Sequence, residues 1–157
     1  MLAARYDNPT SVALTLRALR RFPDRTAFVS DSGRLTYGGV LKLIGGMQVA
    51  MQAAGLRDGM RICLLSSNRA EAWCAGVAAQ GLGLTISWLH PMGSLSDHLD
   101  QVADAEAEGL VVDLPYYRDR GGELAARSGV KAVLTLGSAE FGTDMLAVAA
   151  AAGETNP

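Results

Sequence analysis

The stretch RICLLSSNRAEAWCAGVAAQGLGLTISWLHP, residues 61–91, decides the fold. Arg61 to Ser66 is a short apolar run, the composition a strand buried on both faces requires. Asn68 with Glu71 three residues on resembles a capping box, opening a helix that is apolar almost all round. Leu84 to Trp88 then reads as the next strand. From Ala72 to Leu89 there is no charged side chain, which nominally reaches the length of a transmembrane helix. Gly76, Gly81 and Gly83 interrupt that run, Gln80 sits near its middle, and Ile86 begins a β-favouring segment. A buried helix, a tight turn and a buried strand are the expectation.

The same alternation continues downstream. Ser94 with Asp97 repeats the cap signature, and Leu95, Leu99 and Val102 supply one apolar face. Leu110 to Val112 is strand-like, a helix is expected around Glu123 to Ala126, Val130 to Leu136 reads as a further strand, and Met145 to Ala151 as a final short helix. Upstream, Val40, Ile44, Met47, Met51 and Ala54 keep the helical period over four turns, with Gly55 placed as a left-handed cap. Before it, Thr26 to Ser30 and Arg34 to Tyr37 are β-like runs joined by Asp31-Ser32-Gly33, a hairpin signal. Ser11 to Phe22 reads as a short amphipathic helix with Val12, Leu16 and Leu19 on one face, stopped before Pro23. Strands separated by helices predict βαβ units. The expected architecture is a layered α/β domain over residues 1–157, with a mostly parallel sheet, helices on both faces and an N-terminal β-hairpin. Residues 153–157 read as a linker.

A chain of 157 residues with 49% apolar and 19% charged content is ordinary for a soluble domain with a real core. Sixteen acidic against fourteen basic residues give a net charge of −2, which offers no electrostatic footprint for nucleic acid. Arg17, Arg20 and Arg21 make the first helix basic; contact with an anionic membrane surface is one use of such a helix, and a solvated face the commoner one. Cys63 and Cys74 lie in apolar stretches and form neither a CxxC pair nor a His/Cys cluster, so two buried free thiols in a reducing cytoplasm are expected. No basic segment followed by an apolar run opens the chain, which argues against a secretory signal.

A search for chemistry finds positions rather than machinery. Gly81 and Gly83 form G-x-G, but Ile86 replaces the third glycine and the pair precedes a strand, the wrong order for a dinucleotide loop. Ser66 and Ser67 sit between a strand and a helix without the flanking glycines of a nucleophile elbow, so a small hydrolase is disfavoured. His98 neighbours Asp97 and Asp100 on an expected surface helix, where solvation is the default. Two histidines do not make a metal site of three or four ligands. Asp97, Asp104, Glu106 and Glu108 fall on polar stretches and receive no acid–base role. Ligands of open α/β sheets bind at the C-terminal ends of strands, where Ser66, Ser67 and His90 are expected to stand; for His90, packing within its loop is the commoner use. No catalytic, cofactor-binding or metal-binding residue is assigned.

Five segments, in order, resemble the N-terminal region of the adenylate-forming superfamily of acyl-CoA synthetases, aryl-CoA ligases and luciferases. Phe22-Pro23-Asp24-Arg25-Thr26-Ala27-Phe28 is similar to its P-D-x-x-A opening, and Leu35-Thr36-Tyr37 to its L-T-Y. Gly55 to Ile62 resembles G-L-x-x-G-D-x-V, with Met60 where the family has Asp. Ser67-Asn68-Arg69-Ala70-Glu71 follows N-x-x-E, and Leu89-His90-Pro91 takes the place of N-P, with His90 for Asn. Leu110-Val111-Val112-Asp113 continues the likeness.

The resemblance implies a carboxylic acid substrate, ATP, Mg2+ and coenzyme A for the full-length enzyme, with an acyl-adenylate intermediate. It implies that the phosphate loop, the nucleotide-binding motifs and the catalytic lysine come after Pro157, in the remainder of the same polypeptide. It implies too that this region forms part of the wall around the acyl and pantetheine sites, with Ser66, Trp88 and His90, at expected strand ends, the candidates for lining that substrate pocket. The chain alone is expected to bind none of these cofactors and to be inactive. Apolar surface left uncovered would favour a homodimer in isolation. A stand-alone α/β module that recruits a protein partner is the competing expectation.

Overall fold

In the computed structural model, which describes residues 10–31, 33–153, 155 and 157, the apolar run after Met60 forms strand β3 (Arg61–Leu65). The pleat sends Ile62 and Leu64 into one core cluster and Cys63 and Leu65 into another. Strand β5 (Gly109–Asp113) divides in the same way, Val111 against Leu110 and Val112. Both faces of the sheet are thus apolar, and both are covered. Helices α1 (Ser11–Arg21), α2 (Tyr37–Ala53), α3 (Ala70–Gly81) and α6 (Met145–Ala151) pack on the first face. Helices α4 (Leu95–Asp104) and α5 (Leu114–Arg127) pack on the second.

The remaining strands of this sheet are β4 (Thr85–Trp88), β6 (Ala132–Leu136) and β7 (Thr143–Asp144). All five pair in parallel, in the order β4-β3-β5-β6-β7. Succession runs outward to β4 on one side of β3 and to β6 and β7 on the other side of β5, so the order reverses between β3 and β5. The loop leaving β3 enters a helix on one face and the loop leaving β5 a helix on the other, which opens a crevice between them. Strands β1 (Thr26–Ser30) and β2 (Gly33–Thr36) form the expected antiparallel hairpin as a separate sheet. Ser32, at the centre of its expected turn, lies outside the described residues.

The α2 stripe follows the sequence: Val40, Ile44, Met47 and Met51 are fully buried, each contributing on the order of 1.5–3 kcal/mol. The helix ends in a Schellman motif, with Gly55 N–H donating to Gln52 O at 2.9 Å and Leu56 N–H to Met51 O at 3.0 Å. Gly55 has φ +85°, the left-handed conformation that the motif requires. Gly46 serves a different purpose, since a Cβ there would lie 2.5 Å from Ala149 of α6.

Several boundaries differ from expectation. Tyr37 belongs to α2 and not to β2, because the Thr36 hydroxyl accepts from Gly39 N–H at 3.1 Å and caps the helix. The capping box at Asn68 is absent: α3 starts after Arg69, and the Glu71 carboxylate accepts from the Arg69 side chain at 2.7 Å. The box at Ser94 is present, with Asp97 N–H on Ser94 Oγ at 3.1 Å and Ser94 N–H on Asp97 Oδ2 at 2.9 Å. Helix α5 extends well beyond Glu123 to Ala126 and is kinked at Tyr117. Within 153–157, Glu154 and Asn156 lie outside the described residues, while Thr155 Oγ1 donates to Lys42 O at 3.2 Å and Pro157 O accepts from Arg20. Cys63 and Cys74 are free and buried, and burial pushes their thiols up to about 11 and about 12. Among the described residues no helix is long and apolar enough to cross a membrane.

Candidate functional site

Asp113 closes β5, and its carboxylate, fully buried, turns away from the helix it precedes. An aspartate in that place ordinarily caps its own helix. Instead it reaches to the loop after β3, where Oδ2 accepts from Ser67 N–H at 3.1 Å and from Ser67 Oγ at 2.6 Å. Its Oδ1 accepts from Arg69 Nη1 at 3.0 Å. The two strands at which the sheet order reverses are therefore tied together at their C-terminal ends. Arg69 also holds Glu71 at 2.7 Å, which keeps the Glu71 carboxyl below the usual carboxylate range and raises the arginine further.

The three pocket candidates sit on this edge of the sheet but do not form one cluster. Ser66 is buried directly after β3. Trp88 pairs with Leu64 at the end of β4, and Leu89 N–H extends the ladder to Leu64 O at 2.9 Å. The Trp88 ring lies on α3, where a Cβ at Gly76 would come within 2.9 Å of it, and half of the side chain stays exposed. His90 stands exposed in the turn that follows. Among the described residues the three share no hydrogen bond.

Two residues not expected at the site hold that turn. His98, read from sequence as solvated, is fully buried, because its position three after Leu95 and four before Val102 puts it on the inward face of α4. Its Nε2 lies 2.8 Å from His90 O, and Arg120 Nη1 of α5 lies 3.4 Å from its Nδ1. Arg120 Nη1 also donates to Gly93 O at 2.7 Å. The periodicity that marks Leu95 and Val102 also marks His98, so this burial was legible. Arg120 gives no local signal, because its partners come from a turn 27 residues earlier in the chain.

A cleft of about 660 Å3 lies beside this turn, lined by Pro91 and the first turns of α5, including Tyr116, Arg118 and Arg120. A larger one of about 1050 Å3 lies between α1, α2 and the Gly81–Gly83 turn, at the far end of the sheet. The smaller cleft is the relevant one, because it opens at the C-terminal ends of the strands. Among the described residues no group of three or more His, Cys, Asp or Glu could hold a metal ion.

The model of the AMP-binding enzyme family matches residues 16–154. A medium/long-chain-fatty-acid–CoA ligase of Mycobacterium tuberculosis, FadD8, is 32% identical over 126 residues, which cover 79% of this chain and 22% of that protein. The chain thus spans about a fifth of the length of that curated relative. MbtA of Mycobacterium smegmatis has a TM-score of 0.80 at 26% identity, over 99% of this chain and 30% of that one. A benzoate CoA ligase from Burkholderia xenovorans LB400 shares the fold, with a TM-score of 0.77 at 14% identity, over 92% of this chain and 28% of that one.

Proposed function

Because the chain belongs to the AMP-binding enzyme family, the adenylate-forming acid ligases, we propose that it forms one wall of the substrate site in an enzyme joining a carboxylic acid to coenzyme A. In the first step an acid oxygen attacks the α-phosphorus of ATP, giving the acyl-adenylate and pyrophosphate. In the second the thiol of coenzyme A attacks the acyl carbon, and AMP leaves. Mg2+, when bound, would neutralise charge developing on the phosphates. None of the roles assigned to the residues of this chain runs through that ion.

The single observation that carries the reading is the edge of the sheet where β3 and β5 part. Asp113 fixes the β3 loop, and His90 follows β4 on the same edge. These residues shape and orient; the reacting groups would come from the rest of the polypeptide. The proposed roles are for Ser66 to line the cavity and for Trp88 and His90 to set which acids are accepted rather than the chemical rate. The relative named for medium- and long-chain fatty acids makes these the first acids to try. In the whole enzyme, His90→Asn is expected to change the ratio of kcat/KM between a short and a long acid by several-fold or roughly 1 kcal/mol, with kcat little altered. An unchanged preference across acids of different size counts against the reading.

A further inference from the structure

We propose that His90 is held as an oriented hydrogen-bond donor for an oxygen acceptor of the ligand, and that His98 and Arg120 are the positioning residues that hold it. The ligand half of this rests on the reading above; the positioning half does not.

A guanidinium can only donate and a carbonyl can only accept. His98 faces one of each, Arg120 at Nδ1 and the His90 carbonyl at Nε2. Both bonds can be made only by the neutral ring with its proton on Nε2. The His90 carbonyl receives that N–H together with Gly93 N–H at 2.9 Å. Arg120 secures the other side of the turn at Gly93 O. The fit is close: a Cβ at Gly93 would lie 2.5 Å from His98 Nε2.

Inside the turn, Met92 N–H donates to His90 Nδ1 at 3.2 Å. That nitrogen must therefore be unprotonated, and the proton of neutral His90 sits on Nε2. The Nε2–H has no partner among the described residues, and the side chain is exposed at the end of β4. The asparagine that the family pattern carries in this place could also offer an N–H. The common requirement is an acceptor on the ligand, a carboxylate, carbonyl or phosphate oxygen.

Nitrogen-15 NMR of the imidazoles and amide exchange at Met92 and Gly93 test this in the 157-residue chain. The native protein should show both rings with Nε2 protonated. His98→Met fills the space but makes neither bond; it should accelerate Gly93 exchange by about tenfold and mix the His90 tautomers. His98→Gln can donate from its amide nitrogen and accept at its amide oxygen, and should restore both signals. Unchanged exchange and tautomers in a folded His98→Met protein would overturn the positioning claim, whatever the activity. In the whole enzyme, His90→Phe should raise KM by about tenfold for short and long acids alike, while His90→Asn, which keeps an N–H, should leave KM native for one of the two and change it only for the other. Equal KM values for Phe and Asn would overturn the donor claim. A whole enzyme that ligates no acid would remove the ligase reading and the donor claim with it, and leave the NMR results to decide the positioning.

Discussion

The carboxylate of Asp113 has no contact with solvent and accepts three hydrogen bonds, two from Ser67 and one from Arg69. Removing it would strand a partly buried guanidinium and two donors of the β3 loop. Asp113→Ala should destabilise the protein by about 3 kcal/mol in urea unfolding, near the usual cost of breaking a buried pair. A loss under about 1 kcal/mol would mean that the tether contributes little. Glu71 makes a related prediction. Arg69 lowers its pKa in the folded state, so as the pH falls the unfolded chain takes up the proton first. The resulting stability is present above the ordinary carboxylate value of 4.5 and is lost as the pH falls through the lowered native one. Stability of Glu71→Gln should therefore fall less steeply than that of the native protein below pH 4.5. Parallel slopes would contradict the pairing. At this scale the sequence was only partly legible. Asp113 was visible as the end of an apolar run, but its partners lie more than forty residues away.

Helix α2 separates two reasons for a glycine. Gly55 is needed for its positive φ, with nothing within 4 Å of its missing Cβ. Gly46 is needed for space, because α6 crosses it at Ala149. Gly46→Ala should cost about 1–3 kcal/mol through overpacking, despite the better helix propensity of alanine. Ala149→Gly should recover part of that loss, since the Ala149 Cβ is one of the atoms met. A Gly46→Ala protein as stable as the native one would mean that the helices can separate without cost. Elements with a long period or a cap, such as α2 and α4, were readable. The two-residue strand β7 was not, because Thr143 and Asp144 carry no pattern and pair only through the register of β6. The start of α3 differs from expectation because a capping box and an Arg–Glu pair use the same carboxylate.

At the scale of the molecule, the alternation of apolar runs and amphipathic segments was enough to place a parallel sheet between two helical layers. Strand order was not readable, because pairing between β3 and β5 joins segments separated by a whole β-strand and two helices. That pairing creates the crevice, so candidate positions could be read at strand ends from sequence but not assembled into one site. The family likeness gives the reaction class, and the part proposed in it for Ser66, Trp88 and His90 is to shape and orient. The proposed role belongs to a whole enzyme, in which this chain would be one wall of an acid-activating site. Acid-dependent exchange of labelled pyrophosphate into ATP tests it most directly, measured on the whole protein and on the 157-residue chain side by side. Exchange is expected from the whole protein only when a carboxylic acid is supplied, and none from the chain alone. Exchange by the chain alone, or none by the whole protein with fatty or aromatic acids, would contradict it.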